Sequence, residues 1–188
     1  MTRCLALLLI VSMLAGCATL PRGPGCVKIG PFGAACLLSP AALPALRASH
    51  VVTIVHEDKK DTFLGQLRVD RNAMRLAASS LFGTHLFTID WDGQTVSVQP
   101  PREGLRPKLI AVMLQAAIAD PARLRPQLHG MELAVSHEAD GSEVRELREQ
   151  GRLVARIRRS HASLDRAHLT IDIAPAKLHL DLQPMETQ

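Results

Sequence analysis

Phe63-Leu64-Gly65-Gln66-Leu67-Arg68-Val69 sets Phe63, Gly65, Leu67 and Val69 against Leu64, Gln66 and Arg68. A period of two is the mark of a half-buried strand. The turn residues Asp70-Arg71-Asn72 follow, and then the pattern resumes through Met74, Leu76 and Ala78. Downstream, Thr84 to Trp91 places Phe87, Ile89 and Trp91 on one face. Asp92-Gly93 is a hairpin signal, because glycine accepts positive φ. Gln94 to Gln99 answers it with Val96 and Val98 on one side. Upstream, Val51 to His56 reads as a strand that is apolar on both faces. It closes on the polar turn Glu57-Asp58-Lys59-Lys60-Asp61. The region predicts an antiparallel meander.

The period then changes. Pro107 to Ala119 is apolar except for Lys108 and Gln115, seven residues apart and so on one side of a helix. Pro107 suits the first turn and Pro121 stops the chain. A helix that is apolar nearly all round is a buried one. Strands resume at 131–137, 142–150, 152–159, 168–173 and 177–182, with hairpins at Asp140-Gly141 and Gln150-Gly151. The fold class is therefore mainly β: about ten antiparallel strands with one inserted helix. A sheet this long curls or closes. The helix then becomes a lid or plug over its concave face. The predicted ligand-binding face carries Leu67, Val69, Met74, Leu76, Phe87, Ile89, Val96 and Val98, with Met113 from the helix. It is either a cavity for an acyl-type ligand or a filled core.

At the N-terminus, Arg3 precedes an apolar run from Cys4 to Leu14, too short for a span, which needs roughly 20 residues, and of secretory-signal length. Leu14-Ala15-Gly16-Cys17 resembles the bacterial lipobox at all four positions. That resemblance implies removal of residues 1–16 and lipid modification of Cys17. Ala18 after the cysteine favours the outer membrane, facing the periplasm. Residues 17–48 are rich in Pro, Gly and Ala and read as a tether, leaving 49–188 as the folded domain. Cys26 and Cys36 remain in an oxidising compartment, either as a disulfide or as two free thiols.

An apolar fraction of 47 % with a single Trp suits one globular domain. The formal charge is +4, one unit of it from Arg3. The densest basic cluster, Arg152, Arg156, Arg158 and Arg159, alternates with Leu153, Ala155 and Ile157. It reads as a solvated strand face, or else as a contact for anionic headgroups. Nucleic acid is excluded as a partner by the envelope address. No nucleophile elbow, phosphate loop or zinc motif is present. His56-Glu57-Asp58 sits in a turn, and His168 and His179 on consecutive strands lack a third ligand. No catalytic residue, metal or cofactor is expected, and the chain reads as a binding module or a scaffold, not as an enzyme. In Ser79-Ser80-Leu81-Phe82-Gly83 two large apolar residues occupy a turn. Leu81 and Phe82 either fold into the core or project to insert into a membrane.

Leu64-Gly65-Gln66-Leu67-Arg68-Val69, Met74-Arg75-Leu76, Ser80-Leu81-Phe82-Gly83-Thr84 and Asp92-Gly93-Gln94-Thr95-Val96 are similar to segments of the LolA/LolB family of lipoprotein carriers and receptors. The whole chain looks like LolB-like lipoproteins encoded near aryl-polyene and fatty-acid-type biosynthesis genes. The resemblance covers about residues 50–182. It implies an antiparallel half-barrel with a helical lid that holds acyl chains. It also implies amphiphilic lipid or lipoprotein cargo, a periplasmic carrier protein as a partner, and a membrane-inserting role for Leu81 and Phe82. Ser80 stands where that family often has Pro.

Overall fold

The computed structural model describes residues 21, 23–57, 59–101, 106–161 and 163–185. Cys17 and the signal segment lie outside them. The described chain opens with two short strands, β1 (Cys26–Lys28) and β2 (Ala34–Cys36). Five longer strands follow as a meander: β3 (Leu46–His56), β4 (Lys59–Val69), β5 (Met74–Ser79), β6 (His85–Trp91) and β7 (Val96–Gln99). Helices α1 (Pro107–Ile118) and α2 (Pro121–Leu124) come next, then the short β8 (Leu128–His129). A second five-strand meander completes the fold: β9 (Glu132–His137), β10 (Glu143–Glu149), β11 (Arg152–Arg159), β12 (Leu169–Ile173) and β13 (Leu178–Pro184).

The two meanders join through β3 and β13 into one ten-stranded antiparallel sheet, in the order β7-β6-β5-β4-β3-β13-β12-β11-β10-β9. Its edges, β7 and β9, do not pair with each other, so the sheet is not closed into a barrel. The chain passes from one edge to the other through the segment that carries α1 and α2. Strands β1, β2 and β8 form a separate small sheet.

Alternation decides which way each side chain faces. In β4, Phe63, Gly65, Leu67 and Val69 are buried while Gln66 and Arg68 are exposed. Register carries the apolar set across the sheet. Leu67 stands opposite Leu76, Leu76 opposite Ile89, and Ile89 opposite Val98. A second row runs Val69, Met74, Trp91, Val96. The other meander supplies Leu147, Ile157, Leu169, Ile171, Leu180 and Leu182 to the same core. Helix α1 packs on this inner face, and every residue from Leu109 to Ile118 is buried.

The segment expected to be a tether is corrected by the structure. Ala34, Ala35, Leu37, Leu38 and Leu43 belong to the core, and Leu37 N–H bonds the Gly25 carbonyl at 2.9 Å. Cys26 and Cys36 face each other across β1 and β2 and are joined by a disulfide. Closing so short a loop restricts the unfolded chain by roughly 2–3 kcal/mol on the entropic model. The ordered domain thus begins well before residue 49.

Candidate functional site

Every expected inner-face residue lies where alternation placed it. Leu67, Val69, Met74, Leu76, Phe87 and Ile89 are buried, and Val96 and Val98 are half-buried near the β7 edge. Met113 of α1 has no exposed surface. Phe63 and Phe87 meet edge to face with centroids 5.7 Å apart.

The space between helix and sheet is nearly filled. One gap remains, lined by Val52, Ile54, Phe63, Leu76, Phe87, Ile110, Leu114, Leu180 and Leu182, with a volume of about 20 Å³. That holds roughly one water molecule and no acyl chain. In the described arrangement the inner face is a packed core, as is normal for protein interiors.

What holds α1 in place is polar. Gln115 is 1 % exposed and points at the N-terminal segment. Its side-chain oxygen accepts the Leu38 N–H at 2.7 Å, and its amide donates to the Leu38 carbonyl at 3.2 Å. The Trp91 indole N–H donates to the same carbonyl at 2.8 Å. Helix, sheet and N-terminal segment are therefore clasped at one residue. At the same C-terminal end of α1, Arg145 donates to the carbonyls of Ala116 and Ala119 at 2.8 and 2.6 Å. Arg159 donates to Ala117 at 3.2 Å, and Glu143 pairs with both guanidinium groups. Cations at a helix C-terminus complete its unpaired carbonyls and oppose its dipole. Burial lowers the pKa of Arg159 from its ordinary value, yet the group stays charged.

Sequence reading did not find this clasp. Its one signal was a lone amide in an otherwise apolar helix. Arg159 was also grouped with an outward-facing strand, whereas it turns inward to α1. Arg156 and Arg158 do face out, and both pair with Glu138. Arg158 also pairs with Asp140. This is a neutralised, solvated strand face.

Leu81 and Phe82 project. Phe82 is 97 % exposed and Leu81 56 %. Ser80 Oγ accepts the Thr84 and Phe82 amides at 3.1 and 3.3 Å, and Gly83 closes the turn at φ +84°. Only glycine takes that backbone region without cost. These bonds set the backbone of the turn from which both apolar side chains project. The turn lies at the end of β6 remote from Trp91. Phe32, at the tip of the β1–β2 hairpin, is also exposed, and its N–H bonds the buried Glu149 carboxylate at 2.6 Å.

His168 and His179 do not face each other. His168 meets Asp181 at 3.1 Å, and His179 meets Asp172 at 2.6 Å. Among the described residues no group of three or more His, Cys, Asp or Glu side chains is arranged to hold a metal ion, and no helix is long and apolar enough to cross a membrane.

No curated protein matches the chain. Residues 47–186, which include the whole ten-stranded sheet except the first residue of β3, match the family model described as protein of unknown function (DUF3261), and the chain belongs to that family.

Proposed function

We propose that this is a lipid-anchored envelope protein that binds an amphiphile between α1 and the inner face of the sheet and passes it to the outer membrane. The observation that carries the reading is a helix, apolar but for Lys108 and Gln115, seated on the mainly apolar inner face of an unclosed sheet. In this reading the sheet is a LolA/LolB-like half-barrel and α1 is its lid. The gap of about 20 Å³ between α1 and the sheet supports this reading as the place where the two would part. An acyl chain enters only when α1 lifts, which means breaking the Gln115 bonds to Leu38 and the Arg145 and Arg159 bonds to the carbonyls at the helix end. The driving force is area: apolar surface removed from water is worth roughly 25 cal/mol per Å². Cargo is an amphiphilic lipid or a lipoprotein's acyl chains, received from a periplasmic carrier, and no covalent chemistry is involved.

The anchor is Cys17, at the periplasmic side of the outer membrane. A fatty-acid probe should label the wild-type chain in cells and leave Cys17→Ser unlabelled. Equal labelling of both would end this part of the reading.

The exposed tip Leu81–Phe82 is the element that enters the membrane interface. Leu81→Glu is expected to change stability by no more than about 0.5 kcal/mol, as for other surface substitutions, while transfer of bound lipid to vesicles slows. A variant that folds and transfers at the wild-type rate removes the tip from the mechanism. Mass spectrometry of lipid extracted from natively purified protein tests the cargo directly, and a stoichiometric acyl species is the expected result.

A second reading, a non-catalytic scaffold that docks through its sheet edges β7 and β9, is favoured by one observation: the inner face is packed nearly solid. Protein that purifies free of lipid and takes up no fluorescent fatty acid would select it.

A further inference from the structure

The outer face of the sheet breaks a rule of strand pairing. Arg47 of β3 stands directly opposite Arg68 of β4, and Arg68 directly opposite Arg75 of β5. Like charges in register repel, and local rules are broken most often where a site demands it. Arg75 is satisfied by Asp90 at 2.5 Å. Arg68 reaches Asp70 only at 3.4 Å, with both side chains largely in water. Arg47 has no acidic partner among the described residues.

The two less-satisfied arginines sit in a groove of about 1120 Å³. Its floor is two register pairs, Arg47 with Arg68 and Ser49 with Gln66. One wall is the β11–β12 loop, which contributes Arg166, and another is Pro184 and Met185 at the end of β13. The wall positions are held. His50 is buried and its Nε2–H donates to the Ala167 carbonyl at 3.2 Å, next to Arg166. The Met185 N–H donates to the Ser49 carbonyl at 3.0 Å. One carboxylate, Asp165, also lines the groove, but it is engaged by the Ser163 hydroxyl and lies 3.9 Å from Arg166. The three guanidinium groups come from three separate segments; Asp70 pairs with Arg68 and Asp165 lies beside Arg166, so Arg47 leaves an uncompensated positive charge, with the Ser49 hydroxyl and the Gln66 amide on the neighbouring register pair.

We propose that this groove binds an anionic phosphate group. Arg47 and Arg68 would share its oxygens, as guanidinium forks do with phosphate, Arg166 would close over it, and Ser49 and Gln66 would donate from the floor. Binding supplies the counter-charge that the Arg47–Arg68 register lacks. No residue of α1 lines the groove, so its occupancy does not depend on whether an acyl chain enters beneath that helix.

The test uses full-length protein in neutral detergent, wild type beside the double variant Arg47→Gln/Arg68→Gln. Melting temperature is followed in inorganic phosphate against chloride of equal ionic strength, and in micelles doped with phosphatidylglycerol against phosphatidylcholine. Both arginines are exposed and repel each other, so the variant without added anion should melt at or above the wild type. Phosphate or phosphatidylglycerol should raise the wild-type melting temperature by several degrees and leave the variant unmoved. A response to phosphatidylglycerol alone identifies a lipid headgroup as the source, and a response to inorganic phosphate identifies a free anion. A wild type that responds to neither, or a variant that shifts as much as the wild type, overturns the proposal.

Discussion

Met113→Asp is expected to yield no folded protein, whereas Met113→Leu accumulates as the wild type does. Met113 has no exposed surface and lies mid-helix with buried residues on every side. No cationic side chain of α1 other than Lys108, at its first turn, could meet the new carboxylate. Burying such a group unpaired costs several kcal/mol at least, even when it takes up a proton. Total stabilities of domains this size are about 5–15 kcal/mol. Leucine keeps volume and apolarity, so it costs less than about 1.5 kcal/mol. The measurement is soluble yield with far-ultraviolet circular dichroism. A Met113→Asp protein that melts at the wild-type temperature would show that α1 is not part of the core.

Arg145→Ala should be nearly as damaging, for an electrostatic reason. Arg145 is 3 % exposed and serves two carbonyls of α1 and the Glu143 carboxylate. Deleting it leaves the two helix carbonyls without their donor and Glu143 with Arg159 alone. Removing one member of a buried ion pair typically costs about 3–5 kcal/mol. Arg145→Lys should recover only part of this, because an ammonium cannot reproduce the fork that spans Ala116, Ala119 and Glu143. Urea unfolding reads the difference. An Arg145→Ala midpoint equal to the wild type's would mean that the helix end needs no cap.

The sheet was legible because period two is a local property. Phe63 to Val69, Met74 to Ala78 and His85 to Trp91 each announce a buried face, and Asp92-Gly93 announces the turn between strands. Helix α1 was legible from its near-unbroken apolar run. Residues 26–43 were not. Prolines, glycines and alanines carry no periodic signal, and nothing local shows that Ala35 or Leu38 will be sealed against a distant helix. Gln115 and Arg145 escaped for a related reason. Each acts on backbone groups more than 25 residues away, and a polar residue's partner is fixed only by the tertiary fold. The tip residues Leu81 and Phe82 were narrowed to two alternatives, and the structure removes the first, since both are exposed and not folded into the core. Whether the inner face is open depends on side-chain volumes summed over ten strands and a helix, and alternation says nothing about that sum.

The docking of the N-terminal segment also sets a mechanical limit. Gly25 lies against the Trp91 ring and is bonded to Leu37, so the chain is fixed from that point on. If Cys17 is acylated as proposed, the anchor lies eight residues ahead of Gly25 in the sequence, and eight residues reach at most about 25–30 Å. Strand β6 and its apolar tip run away from Trp91 for a comparable distance, since seven strand residues alone span roughly 20 Å. In the proposed reading, anchor and tip would meet one bilayer together only in poses compatible with that reach, and a few residues inserted directly after Cys17 would widen the range of angles without touching the fold.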